Sequence, residues 1–200
     1  MWFSFSTNIL ISVTAILLYV KYRNRSVSAY YWAFVLLTGF SSFVAAFGHL
    51  PLIAESTGVK LLYVSRLLNF VSITAFIAGT LEAFNYFQQA IYKGMNMAIL
   101  LAFVLWLSIY NNFTPVIIYS IIGIFFVGGA SYIINYKTEK EASMRVLSGI
   151  VALAVSAIVF SLFKSKDNTI AADIGHFLIS AALILLTAGF NKIKRNEVTK

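Results

Sequence analysis

The chain is 200 residues long, 60% hydrophobic and 11% charged, with a mean hydropathy of +0.85. A soluble domain of that balance would expose more apolar surface than it could cover, so an ordinary water-soluble globule is excluded. The chain has no cysteine, which excludes disulfides and thiolate metal sites, and its net charge of +8 is spread among short connections rather than gathered on one nucleic-acid-binding face.

Seven apolar runs follow one another, at about 7–20, 31–52, 61–84, 95–110, 115–134, 146–163 and 169–190. A bilayer's hydrocarbon core is ~30 Å thick and takes roughly 20 apolar residues to cross as a helix. The pattern predicts an all-α, polytopic seven-transmembrane-helix bundle filling residues 1–200 as one domain. The first and fourth runs are short and gain a turn from their flanks. Before the first run no side chain is charged, while Lys21, Arg23 and Arg25 follow it. A cleaved signal peptide has the reverse order, so this run stays as a span.

Further connections repeat the bias. Lys93, Lys137, Lys140, Arg145, Lys192, Lys194, Arg195 and Lys200 join the first three residues on one side, against Lys60, Arg66, Lys164 and Lys166 on the other. Basic residues collect on the cytoplasmic side, so the sequence predicts an outer amino terminus and a cytoplasmic carboxyl terminus, in a bacterial cytoplasmic (inner) membrane. The expected partners are membrane lipids, not nucleic acid. Trp2 and Phe3 outside, and Tyr19, Tyr22, Tyr30, Tyr31 and Trp32 inside, are expected as interfacial anchors. Residues 111–115 read as a tight outer turn, with Pro115 opening the next helix. Pro51 ends the second span. Ser148, Ala152 and Ser156, and Gly123, Gly128 and Gly129, are expected at close helix contacts. There is no internal repeat to suggest an inverted-repeat transporter, and the seventh span holds no lysine for a retinal Schiff base.

Ionisable residues inside spans are candidates for function. His49, Arg66, Asp173 and His176 stand out, and by rise per residue all lie roughly 5–14 Å from the outer boundary. Helical spacing sets Asp173, His176 and Ser180 on one face, extended by Thr187. Thr38, Ser42, Ala45 and His49 share another, and Ser65, Asn69 and Ser72 a third, with Arg66 at its edge. These stripes predict an outward-opening polar cavity between spans two, three and seven. The structural alternative is a buried Arg66–Asp173 ion pair with two hydrogen-bonded histidines, or an Arg66 that snorkels to the interface. Glu82 is expected at the inner interface, solvated.

Seven spans, a histidine late in the second and an Asp-x-x-His in the seventh resemble the alkaline-ceramidase/adiponectin-receptor-like superfamily of membrane hydrolases. The resemblance implies zinc held by His49 and His176, with a metal-activated water attacking an amide or ester carbonyl of a lipid-like substrate. The family's further histidine falls at Ala172 and its serine at Ala45, so Asp173 is the third ligand the resemblance leaves. Arg66 would compete for that carboxylate and repel a dication. Beside this hydrolase stand a non-enzymatic seven-helix sensor, scaffold or small-ligand binder, and a proton or solute pathway.

Overall fold

A segment within hydrocarbon must satisfy its own backbone groups, and coiling into a helix does so completely. The computed structural model describes residues 2–24, 27–84, 89–110, 114–162 and 169–193. Over them run α1 (Trp2–Tyr22), α2 (Ala29–Gly48), α3 (Glu55–Ala83), α4 (Gln89–Tyr110), α5 (Thr114–Ile121), a π-helical segment (Ile122–Gly129), α6 (Ala130–Ile134), α7 (Lys140–Leu162) and α8 (Thr169–Phe190). From α5 through the π segment to α6 is one rod, so each predicted run corresponds to one helical rod. Six of the helical stretches are long and apolar enough to cross a membrane. In α4 the apolar stretch Met97–Trp106 is shorter. Arg25, residues 111–113, the 164–167 loop, the tail from 194, and the side chains of Trp2, Phe3, Lys93 and Ala172 lie outside the described residues.

The helices form a ring in which α1 packs on α2 and α8, α2 on α3, and α7 on α8, with the π-containing rod between α3 and α7. Side chains such as Leu17, Ile109, Phe126 and Ile134 point outward and are exposed. Inside, Tyr31, Phe34, Phe76 and Phe190 form an aromatic centre, Tyr31 stacking on Phe190 with centroids 3.7 Å apart. Tyr31 is therefore a core residue, not an interfacial anchor. Its hydroxyl bonds that of Tyr132 at 2.7 Å, giving both buried phenols a partner.

Close approach rests on small residues. Along the antiparallel α7–α8 pair, Ala142 faces Gly189, Gly149 faces Ala182 and Ser156 faces Gly175. The positions step by seven on both helices, so the same contact repeats at each level. A Cβ at Gly189 would sit 2.5 Å from Val146 Cγ2 and 3.0 Å from Ala142 O. Ser148, expected on this seam, is exposed and bonds its own helix at Met144 O. Between α1 and α2, Gly39 leaves room for Ala15 and accepts a bond from Ser12 Oγ at 2.8 Å. In the π segment, Gly123 and Gly128 admit Ile77 and Phe76 of α3. Where α2 begins, its N-cap Ser28 donates its hydroxyl to Glu82, which is exposed and ties α3 to α2.

Replacing Gly189 with alanine should cost about 1–3 kcal/mol, because backbone as well as a valine methyl blocks the added carbon. At Gly94, exposed with open space around it, the same change should be neutral or stabilising by up to ~1 kcal/mol. Detergent-solubilised unfolding curves of the two variants measure the contrast.

Candidate functional site

The polar cluster is built by two helices whose amino-terminal ends lie side by side. Thr7 of α1 places Oγ1 3.2 Å from Asp173 Oδ1 and 2.9 Å from His176 Nδ1 of α8. The spacing of three between Asp173 and His176 sets both on one helical face, where a single hydroxyl can touch both. Thr7 and Asp173 are buried and His176 half-buried. A hydroxyl has one proton to give, and an ionised carboxylate only accepts. Thr7 has three groups within reach of that proton, namely Asp173 Oδ1, His176 Nδ1 and, one turn back, Ser4 O at 3.4 Å.

Around this bridge the other helices converge. His49 caps the carboxyl end of α2, its N–H bonded to Ala45 O and Ala46 O, both at 3.1 Å. It is half-buried. Phe5 and Phe47 meet edge to face beside it and hold α1 against α2 at this end. From α7, Ser156 Oγ donates to Gly175 O at 2.9 Å, anchoring the turn of α8 between Asp173 and His176.

The expected face of α8 is real: Asp173, Ser180 and Thr187 are all buried. Asp173 and His176 both meet Thr7 of α1, a helix outside the three the sequence singled out. Arg66 and Asn69 are exposed on α3, so the geometry does not set Arg66 against buried Asp173. The ion pairs found among the described residues centre instead on Glu141, with Arg145 and Lys192. Ser42 is half-buried on α2. The Thr38 and Ser41 hydroxyls join α2 to α3 through Ser72 and Ser65.

Sequence reasoning missed Thr7. Nothing in an apolar run marks one threonine among several, and the pairing of first and last helices is not a local signal. Asn8 and Ser12, also buried on α1, were hidden in the same way.

A tetrahedral zinc site needs three or four converging protein donors. Among the described residues no group of three or more His, Cys, Asp or Glu could hold a metal ion. His176 Nδ1 and Asp173 Oδ1 both lie within hydrogen-bond distance of the Thr7 hydroxyl. A groove of about 400 Å³ between α1 and α2 is lined by apolar side chains including Ile16 and Phe40. Ile16 lies nine residues from Thr7, half a turn round the helix, so this groove faces away from the cluster.

An all-helical bundle of membrane-crossing dimensions, with a polar cluster at one end, is the class of protein these features define. The chain belongs to the DUF6962 family, a family of unknown function, whose model matches residues 3–195. Neither a curated protein nor a solved structure matches it.

If Thr7 holds the cluster together, Thr7→Val should destabilise by about 1–3 kcal/mol, since it leaves a buried carboxylate without its donor. Thr7→Ser should keep most of the stability. In a cycle with Asp173→Asn the two losses should couple by about 0.5–3 kcal/mol rather than add. Thermal unfolding in detergent reads all four proteins.

Proposed function

We propose that this chain is a seven-span integral membrane protein that binds a small polar ligand at the outer end of its bundle and acts as a sensor or binder, not a hydrolase. The observation that carries the reading is the Thr7 bridge to Asp173 and His176. It holds a half-buried imidazole against a buried carboxyl at one end of the bundle. Fixed polar groups in a mostly apolar wall are what orient a small ligand.

The topology follows from charge. The antiparallel packing of α1 on α2 and α7 on α8 gathers Lys21, Arg23, Lys140, Arg145 and Lys192 at the end opposite the cluster. The positive-inside rule makes that end cytoplasmic and the cluster outer, with the amino terminus outside. α4 is the seventh span: its 22 residues reach ~33 Å, enough for the hydrocarbon core. A bacterial cytoplasmic membrane suits this arrangement.

Two measurements test the reading. Native mass spectrometry of gently extracted protein should show a discrete small-molecule adduct that is absent from the Asp173→Asn/His176→Gln double variant. Adducts identical in the two proteins would count against a ligand site. Elemental analysis of chelator-free preparations should find no more zinc in the native protein than in His49→Ala/His176→Ala. Near-stoichiometric zinc in the native protein alone would reinstate the metal-hydrolase reading.

A further inference from the structure

The two seams that α8 makes with its neighbours differ in kind. Toward α7 it presents Gly175, Ala182 and Gly189, packed backbone to backbone. Toward α1 it presents Asp173, and Ser180 and Thr187 follow on the same helical face at steps of seven, away from the glycine seam. On α1 the residues Thr7, Thr14 and Lys21 have the same step. The bond between Thr7 and Asp173 sets the register of these parallel helices, and seven-residue steps then bring Thr14 level with Ser180 and Lys21 level with Thr187. Each level of this seam carries polar groups on both helices.

Below the first level Thr14 is half-buried and Lys21 exposed, and the two α8 hydroxyls are buried and unpaired. The Oγ of Ser180 and Oγ1 of Thr187 are buried, the residues only 6% and 1% exposed, with no hydrogen-bond partner among the described residues. A serine or threonine within a helix ordinarily returns its proton to the carbonyl one turn back, as Thr80 does to Phe76 O. A buried polar atom without a partner calls for a physical explanation, and a partner that enters from outside is one.

We propose that the α1–α8 seam is a polar access route from the outer face into the bundle, taken by water and small hydrogen-bonding solutes, with the Thr7 bridge as its outer latch. Breathing of α1 away from α8 offers Ser180, and then Thr187, the partners they lack. The α7–α8 seam, packed backbone to backbone with the Ser156 hydroxyl bonded across it, stays shut. The route rests on the outer placement of the cluster but not on the identity of any ligand, and water alone is enough to reveal it.

The chain has no cysteine, so single thiols can be introduced into an otherwise silent background. The probe is a small, positively charged, membrane-impermeant methanethiosulfonate, applied to either face of proteoliposomes of known orientation. Ser180→Cys should react from the outer face much faster than Ala182→Cys, a position on the closed seam that is also buried. Adding Thr7→Val should raise the Ser180→Cys rate about tenfold, the effect of losing one hydrogen bond of the latch. Thr7→Ser should leave the rate unchanged. Equal reactivity of Ser180→Cys and Ala182→Cys with Thr7 intact would overturn the route. Reaction of Ser180→Cys only from the cytoplasmic face would overturn its outward direction. An accessible Ser180→Cys together with no small-molecule adduct in the mass spectra would reject the ligand reading and leave the route standing.

Discussion

Helices surrounded by lipid gain little from burying apolar faces against one another, because acyl chains are equally apolar. What remains is van der Waals contact and hydrogen bonding, and both grow only when backbones come close. This constraint explains where the small residues lie. The Ala142–Gly189, Gly149–Ala182 and Ser156–Gly175 levels let α7 and α8 touch along their length. Gly39 does the same for α1 and α2, and the π-segment glycines do so for α3. With the backbones this near, Tyr31 can fill the centre of the ring, stacked on Phe190 and bonded to Tyr132.

Closure of the ring rests on a different physical basis. α1 and α8 are the first and last helices, and the Thr7 bridge joins them at one end through a buried carboxylate and an imidazole. A polar contact in a low-dielectric setting is strong while its geometry holds and costly when it is disturbed. The same bond that stabilises the seam also makes it directional and responsive to anything that competes for hydrogen bonds. The cluster therefore couples the integrity of the fold to the chemistry of what reaches that end of the bundle.

Much of the architecture could be read from the chain. Each apolar run became one helical rod, because the length a bilayer demands is written directly as a count of residues. The shared face of Asp173, Ser180 and Thr187 followed from helical periodicity alone. Partners were harder. Periodicity says which residues share a face but not which helix that face meets, so Arg66 was set opposite Asp173 on charge, whereas α3 leaves it exposed. Tyr31 looked like an anchor because it sits between Tyr30 and Trp32. It became a core residue because Gly79 opened a space for its ring. Likewise Ser148 belonged to a plausible small-residue step, one position out of register with the step that packs.

The π-helical segment at Ile122–Gly129 is a matter of chain length as well as of shape. A π turn accommodates extra residues by widening the helix rather than by adding a loop. Each residue in a helix turns the chain by about 100°, so the width of this segment decides which way α6 points its side chains. With it, Tyr132 meets Tyr31. Losing one residue there would leave hydropathy and span length almost unchanged, yet would swing the Tyr132 phenol out of the core. The number of residues between Tyr119 and Tyr132, more than the identity of the apolar ones among them, therefore sets whether the two buried phenols meet.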